Sequence, residues 1–259
     1  MGTALTNAPV YVTVAQVRFN AILKLAEFLP TIQEHFRTSG FPDYALNKVM
    51  VIQITNQNGQ PVPTPSLQDH YGFRNAEKTL GFILETDKLT FQSTRYGTFE
   101  RFSEMFLQGL SIVHDVVRLD FTERIGMRYL DRVSPIGNDS LNEYLVPEAR
   151  GLSDRVGGTP LRSFFEVLSE NGGIKLLSRV ITQTGPLAFP PDLMRGDMAI
   201  DPRFAAYDGL HAILDNDGFF EGRESYSAET VARYLTAIHE VVTKAFRATV
   251  TPHALEVWK

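Results

Sequence analysis

The sequence predicts an α+β fold of two tandem duplicated β-α-β-β-β-α units, with helices on one face of a curved antiparallel sheet and the other face open. Strand-like alternation and helical apolar stripes follow one another in the same order in residues 1–120 and 121–259. Two short stretches also recur in order: VRF at 17–19 with MRY at 127–129, and LSIVHDVV at 110–117 with LTAIHEVV at 235–242.

We interpret the two recurrences as a tandem duplication that forms one fused globular unit of residues 1–120 and 121–259. The second unit has the longer chain, and its extra residues fall in predicted loops and an additional helix, where insertions are tolerated. The alternative is that amphipathic strands and helices converge on similar patterns without common descent.

In the first unit, alternating apolar residues predict a strand at 9–19. Apolar residues at helical spacing predict a helix at 23–37, which Gly40 terminates. The remaining elements, in chain order, are a strand at 48–55, a turn at Asn58-Gly59, a flexible loop in the proline-spaced PVPTPS (61–66), strands at 77–85 and 89–96 joined by a short hairpin, and a helix over 98–117.

The second unit opens with a predicted strand at 121–133. It closes with a helix after Ser227, whose side chain suits the N-cap, and that helix carries an apolar stripe from Val231 to Phe246. The elements between them, in chain order, are helices at 139–148 and 160–169, the second with Thr159 as N-cap and Pro160 as first residue, strands at 174–183 and 197–203, and a Gly/Asp/Asn-rich loop at 214–225.

Composition excludes several classes of function. The 259 residues include no cysteine, which excludes disulfide frameworks, thiolate metal sites and cysteine nucleophiles. A formal net charge of -5 makes nucleic acid an improbable partner and disfavours anionic lipid. No apolar run approaches the roughly 18 residues of a membrane span, and the N-terminus has no signal-peptide pattern, so we expect a cytoplasmic protein with no membrane partner.

Three segments carry a family resemblance: VAQVRFNAILKLAEFLPTIQEHFRTSGFP, RIGMRYLDRV and HEVVTKAFRATVTPHALEVW. They resemble a sporadically distributed family of uncharacterised prokaryotic proteins with no assigned function. The resemblance implies patchy occurrence, as expected of an accessory or defence-like system, and supplies no catalytic residue. At the level of fold alone, the predicted plan is similar to the saddle of the TATA-box-binding protein and to helix-grip folds.

Four arginines form the main candidate binding site. Arg124, Arg128 and Arg132 alternate along one predicted strand and share a face, and Arg18 joins them through the recurrence. Their guanidinium groups could clamp a carboxylate, a phosphate or an acidic peptide. The alternative is that each arginine pairs with a nearby carboxylate and merely solubilises the sheet, and Glu123 and Asp131 are the candidates for this pairing.

Aromatic residues in predicted loops are candidate anchors for a protein partner: Phe189, Phe219 and Phe220. His114 and His239 each precede a carboxylate, but adjacent helical residues do not face each other, so we interpret both as packing histidines.

The other polar motifs predict no chemistry. The remaining histidines have no metal-ligand spacing, the Gly-Gly pairs are turns, and the acidic residues of 215–224 lack calcium-loop order, so we predict neither metal nor cofactor.

These observations favour a non-enzymatic recognition or scaffold protein that binds a protein partner, in a homo- or hetero-oligomer, through its open sheet face or exposed loops. The alternative is a helix-grip-type enzyme or binding protein for a small anionic ligand. Nucleic-acid binding through a saddle-like sheet ranks third, because the chain is acidic.

Overall fold

A computed structural model describes residues 5–57, 60–157, 161–190, 192–193 and 197–259. Its centre is a nine-stranded sheet in which every neighbouring pair is antiparallel. The strands are β1 (Val10–Phe19), β2 (Asp43–Gln57), β3 (Gln60–Arg74), β4 (Leu80–Glu85), β5 (Lys88–Ser93), β6 (Phe121–Val133), β7 (Arg162–Asn171), β8 (Ile174–Thr184) and β9 (Leu210–Ser225). The spatial order is β2-β3-β4-β5-β1-β6-β9-β8-β7.

Three long helices pack on one face of the sheet: α1 (Leu25–Thr38), α2 (Phe99–Val117) and α5 (Ala228–Thr249). The shorter helices are α3 (Ser153–Val156), α4 (Pro202–Ala205) and α6 (Pro252–Val257). The predicted α+β class and antiparallel sheet are therefore confirmed.

The first strand of each half occupies the middle of the sheet. β1 and β6 pair with each other. The last strand of each half pairs with the first strand of the same half, β5 with β1 and β9 with β6. Alternate residues of β1 and β6 consequently face opposite layers. Val17 and Met127 lie under the helices, whereas Arg18 and Arg128 lie on the other face.

An aromatic cluster joins the sheet to α1 and α2. Phe36 of α1 stacks on Phe73 at 4.5 Å between ring centroids, and Phe82 stacks on Phe91 at the same separation. Gly109 lets α2 approach, since a Cβ at this position would lie 2.2 Å from Cε1 of Phe82. All four phenylalanines are buried, so the predicted apolar stripes of the first half form the core.

The predicted strand at 9–19, both helices and the β4–β5 hairpin of the first half are confirmed, but residues 60–74 form an additional strand that was not predicted. The first half is therefore β-α-β-β-β-β-α, and in the described part of the second half no helix longer than four residues lies between β6 and α5. The predicted β-α-β-β-β-α unit is thus wrong for both halves. Thr98 caps α2 through its side chain, and Gly40 follows α1 with the predicted left-handed φ of 95°. The PVPTPS segment, however, is part of β3, and the Asn58-Gly59 turn lies outside the described residues.

The spacing of the prolines explains this error. In the register, Pro65 lies opposite Ile52 and Pro63 opposite Ile54. Proline has no backbone N–H group, and residues two apart in a strand direct this group toward the same neighbouring strand. The missing donors of these prolines are therefore all on one edge of β3. This part of β3 has a strand neighbour on one side, because β4 pairs with it only from Tyr71 onwards. The sheet therefore tolerates the missing donors.

The second half departs further from prediction. Residues 162–169, predicted as a helix, belong to β7, and Thr159 and Pro160 lie outside the described residues. The turn at Gly172 and Gly173 is confirmed, with φ of 59° and 82°, and it joins β7 to β8 as a two-residue hairpin. This hairpin holds the apolar residues of β7 in a strand despite their helical spacing.

Three further predictions between β6 and α5 are wrong. Residues 214–225, predicted as a loop, form most of β9. Residues 197–203 form no strand, because Asp201 caps the short helix α4 at Pro202. The helix predicted at 139–148 is replaced by two 3-10 turns, Leu141–Glu143 and Pro147–Ala149. In contrast, β8 and the Ser227-capped α5 are confirmed.

The face opposite the helices is partly covered, contrary to the expectation of an open face. The connection from β8 to β9 runs over one end of it, and its apolar side chains pack on β1, β6 and β9. Phe204 of α4 and Leu193 belong to this cover, and Tyr11 of β1 donates a hydrogen bond from its hydroxyl to the Ala188 carbonyl oxygen at 3.1 Å. The middle of the face remains accessible as a cleft.

Candidate functional site

A polar cleft of about 310 Å³ lies on the helix-free face, over the middle of the sheet. Strands β1, β4, β5, β6 and β9 form its floor, and Asp192 and Leu193 of the covering connection form one wall. Three of the four predicted arginines line this cleft: Arg18, Arg124 and Arg128.

Arg128 is buried at one end of the cleft and bound by two carboxylates. Its Nε and Nη2 donate to the two oxygens of Asp215 at 2.6 and 2.7 Å, and its Nη1 donates to Asp192 at 2.7 Å. Burial lowers the pKa of Arg128, but the hydrogen bonds to Asp215 and then Asp192 outweigh burial and raise it overall. Arg128 thus holds the covering connection to the sheet.

A second arginine completes this network. Asp215 is fully buried and also accepts a hydrogen bond from Arg179 of β8 at 3.1 Å, and Arg179 donates to Glu166 of β7 at 2.6 Å. Charged residues of β6, β9, β8 and β7 therefore alternate in sign across the sheet, which is the arrangement that stabilises neighbouring strands. Sequence reasoning missed Arg179, although its position in a predicted strand was visible.

Arg124 lies across the centre of the cleft. Its side chain folds over Gly126, where a Cβ would be 2.7 Å from Nη1, and its guanidinium carbon lies 4.5 Å from the centre of the Phe219 ring. Nη2 donates to Asp217 at 3.3 Å. Burial raises the pKa of Asp217, and the arginines Arg124 and Arg128 oppose that rise.

Arg18 lies at the other end of the cleft and is partly exposed. Its Nε is 3.8 Å from Asp87 in the β4–β5 turn, and it stands directly opposite Arg124 across the β1–β6 pair. The expected equivalence of Arg18 and Arg128 is therefore limited to the shared cleft, since Arg128 is buried among carboxylates.

Two buried polar residues, Glu85 and His70, lie beside the end of the cleft that Arg18 lines. Lys88 Nζ lies 2.9 Å from Glu85, and Nε2 of His70 lies 3.1 Å from the same carboxylate. Burial lowers the pKa of His70, with Glu85 acting in the opposite direction. Sequence reasoning missed this group, because its members come from three strands that only the fold brings together.

Arg132 does not reach the cleft. Its Nη1 donates to the carbonyl oxygen of Phe204 and its Nη2 donates to that of Tyr207 at 2.7 Å, and the guanidinium lies over the Tyr207 ring. The side chain is buried under the covering connection, and burial lowers its pKa. Arg132 anchors the end of that connection to β6. The suggested pairing of these arginines with Glu123 or Asp131 is not observed among the described contacts.

The predicted aromatic anchors lie in packed positions. Phe219 and Phe220 belong to β9 rather than to a loop, and Phe220 stacks on Tyr234 of α5 at 3.9 Å on the helical side. Phe219 is half-buried under Arg124. Phe189, in the covering connection, meets Tyr11 edge to face at 5.4 Å. Phe219 and Phe220 are therefore not loop residues as predicted, whereas Phe189 does lie in a loop, and all three side chains are partly buried.

The two helical histidines pack as predicted. His114 of α2 stacks on Tyr226 at 4.2 Å, and its Nδ1 accepts a hydrogen bond from the backbone N–H of Leu119. His239 of α5 stacks on Phe99 at 4.2 Å and is hydrogen-bonded to the Tyr129 hydroxyl at 2.9 Å.

One cluster of potential metal ligands occurs among the described residues, formed by Asp139, Glu143 and His253. Its carboxylates already accept local hydrogen bonds. Asp139 accepts from Tyr144 at 2.9 Å and lies 3.0 Å from His253, while Glu143 accepts from the backbone N–H of Ser140 in a capping box. These contacts explain the cluster as a structural one.

Large apolar side chains are exposed at both ends of the sheet. The first set lies on β2 and β3 beyond the end of β4, a projecting hairpin that we name the arm (46–57 and 60–67). Four residues of the arm are 67–76% exposed: Met50, Ile52, Ile54 and Leu67. The second set lies on β7, whose four apolar residues are 42–63% exposed: Phe164, Phe165, Val167 and Leu168.

The sequence matches no family model and no curated protein. Within the described part of the chain, no helix is both long and apolar enough to cross a membrane.

Proposed function

We propose that the protein is a non-enzymatic recognition module that binds a protein partner through its sheet, with the arm as the principal contact. The observation that carries this proposal is the exposed apolar face of the arm. Contiguous exposed apolar surface of this kind marks interaction sites in proteins that otherwise bury such side chains.

The most exposed apolar side chains of the arm share one face. Met50 stands opposite Leu67, and Ile52 and Ile54 stand opposite prolines, so this face is apolar from Met50 to Ile54, and Lys48 lies next to it opposite Asp69. The other face carries Val49, and Gln68, the residue that follows the arm in β3, stands opposite Val49. Full burial of a Met, Ile or Leu side chain stabilises by about 1.5 to 3 kcal/mol, so covering four of them supports a stable complex.

The partner we infer is the apolar side of an amphipathic helix. The apolar face of the arm continues the sheet face on which α1, α2 and α5 pack, because Tyr44 of β2 and Phe73 of β3 both lie on that face. A helix from a partner would bury the arm as the protein's own helices bury the rest of the face.

The test is co-expression with the protein encoded by the adjacent gene, followed by calorimetric titration of the purified pair. Ile52→Glu places a charge on the apolar face, and we expect it to weaken binding by at least about tenfold, since it buries an unpaired charge. Gln68→Glu adds the same charge to the other face and should bind like the parent protein. Equal binding by both variants would exclude the arm as the contact.

We further infer that the two halves arose by duplication and that the sheet is saddle-like. Support comes from two similar stacking contacts, in which a histidine of each helix lies against an aromatic residue at or just before the start of the other. His114 of α2 stacks on Tyr226, which precedes α5, and His239 of α5 stacks on Phe99, the first residue of α2. Serine or threonine caps both helices, and both follow a strand that pairs with the first strand of its own half.

We place this recognition role in an accessory or defence-like system of prokaryotes. Support comes from the resemblance of the N-terminal and C-terminal segments to a sporadically distributed prokaryotic family. A partner encoded beside it as a nuclease, protease or toxin would support regulation or assembly as the role.

The cleft favours a second candidate function, the binding of a small anion. Arg18, Arg124 and Lys88 border a cavity large enough for a small molecule. Arg124 is bound by Asp217 and Lys88 by Glu85, whereas the contact that Arg18 makes with Asp87 is a long one of 3.8 Å. Inorganic phosphate at 100 times its dissociation constant should stabilise the protein by about 2.7 kcal/mol. In a thermal-shift titration, Arg124→Gln should abolish this gain, and Arg233→Gln on α5 should preserve it. Identical shifts in both variants would refute the site.

A further inference from the structure

We propose that a second copy of this chain pairs with the free edge of β7, so that two sheets join as one antiparallel sheet across a two-fold axis at Glu166. β7 is the last strand of the sheet, and within the described residues its only strand neighbour is β8. This surface is at the opposite end of the sheet from the arm, and the inference is independent of the proposed function.

Within the described residues no strand pairs with the outer edge of β7, and its only protection is the charge of Arg162, Glu166 and Glu170. Ten residues are in strand conformation, and apolar side chains are exposed on both faces: Phe164 and Leu168 on the cleft side, Phe165 and Val167 on the helix side. A long apolar edge strand is a template for pairing unless it is blunted or covered. Leu161, immediately before it, is also exposed.

The hairpin determines which backbone groups point outward. Asn171 and Ile174 flank the two-residue turn, so they form a hydrogen-bonded pair. Counting back along β7, every second residue bonds to β8, and those between direct their N–H and C=O groups to the free edge. The outward residues are Arg162, Phe164, Glu166, Leu168 and Glu170.

These outward residues are self-complementary in one antiparallel register. If Glu166 stands opposite its own copy, Arg162 stands opposite Glu170 and Phe164 opposite Leu168, and each contact occurs twice. The pairing would add about ten N–H···O bonds, two for each outward pair. A shift by two residues in either direction would set Phe164 against Glu166 or Glu170, so charge and apolarity select this register.

The two copies of Glu166 at the axis do not oppose the pairing, because each has its own counterion. Arg179 donates to Glu166 at 2.6 Å and remains bound to Asp215. Arg162 and Glu170, in contrast, are exposed. Arg162 has no ion pair in the described part of the chain, and Glu170 stands opposite Lys175, whose own salt bridge is with Glu221 at 2.8 Å. Arg162 of a second copy would therefore supply a close counterion for Glu170, and a second copy is the partner that this pattern fits.

Sedimentation analysis of the full chain tests the interface, and we expect a species of twice the 29.1 kDa chain mass. Arg162→Glu sets like charges opposite each other at two places, as does Glu170→Arg, and each should raise the dimer dissociation constant about tenfold. The double variant should restore the parent value. Glu104→Arg on α2 is the control for net charge and should leave the dimer intact.

Cross-linking tests the register without reliance on the stability of the dimer. The chain has no cysteine, so Glu166→Cys introduces a single thiol at the axis, where Cα atoms about 5.5 Å apart permit a disulfide. Ser169→Cys is the control, because its copy would be about 20 Å away. A protein that is monomeric at all concentrations would overturn the proposal. So would single charge-reversal variants that dimerise like the parent, a double variant that does not restore the parent dissociation constant, or equal cross-linking of the two cysteine variants. A dimer lost only in Ile52→Glu would place the interface on the arm and would also overturn it.

Discussion

The buried carboxyl group of Asp131 predicts that the protein loses stability as the pH rises. Asp131 lies in β6 among side chains that include Tyr11, Tyr96 and Tyr129, and burial raises its pKa from 3.8 to about 8. The carboxyl group is therefore protonated in the folded protein at neutral pH. The unfolded chain ionises it at about 4, so unfolding releases a proton over the interval between these two values.

The sign and size of the effect follow from this difference. The folded-state pKa lies above the unfolded-state pKa, so the stabilising effect of the bound proton is complete below about pH 4 and falls by about 1.4 kcal/mol per pH unit up to about pH 8. From about pH 5 to about pH 7, the unfolding free energy of the parent protein should fall by about 3 kcal/mol relative to Asp131→Asn. The nearby tyrosines all have raised pKa values and remain neutral throughout this interval.

Urea unfolding of the parent and Asp131→Asn at a series of pH values measures this difference directly. Because other titrating groups are common to both proteins, subtracting the two curves isolates Asp131. We expect the variant to be the more stable protein near neutral pH. Parallel curves would show that Asp131 is ionised in the folded state and would refute the reasoning.

Two further predictions concern packing and charge. Arg128→Met leaves the fully buried Asp215 with Arg179 alone, and we expect a loss of about 3 kcal/mol in urea unfolding; an unchanged midpoint would contradict the role of this network. Gly109→Ala would bring a methyl group to 2.2 Å from the Phe82 ring and should cost about 2 kcal/mol, whereas Gly97→Ala, with open space around it, should cost much less. Equal thermal midpoints for these two variants would contradict the close approach of α2.

The elements that sequence reasoning predicts well are those whose patterns have a local cause. β1, α1, α2 and α5 combine regular apolar periodicity with a cap or terminating residue, and Thr98 and Ser227 act as the caps that their side chains indicate. Their boundaries fall within a few residues of prediction. In these elements the tertiary contacts favour the same conformation as the local sequence.

The errors occur where a distant strand decides the structure. The Asp, Asn and Gly content of 214–225 is typical of a loop, but Asp215 and Asp217 are two residues apart and lie opposite arginines of β6 and β8. Carboxylates in a strand interior become favourable only when those arginines are adjacent. The sequence of β9 alone contains no sign of these partners.

The same pairing explains why three of the four predicted arginines lie together without forming a strongly basic surface. Arg128 is neutralised by Asp215 and Asp192, and Arg124 by Asp217. The candidate site was correctly located on one sheet face for Arg18, Arg124 and Arg128, but its carboxylates were assigned to a loop. The charge balance of the cleft could therefore not be derived before the position of β9 was known.

The arm and β7 expose their apolar side chains in different ways, which is why we propose different modes of binding for them. The arm exposes large apolar side chains on the face that the helices share, so a partner that packs on one face can cover them. β7 exposes apolar side chains on both faces, as Phe164 and Phe165 show. A single packed layer would leave one of these faces in water, whereas an added strand brings side chains to both. The number of exposed faces at each end of the sheet is thus the reason why we propose side-on packing at the arm and strand addition at β7.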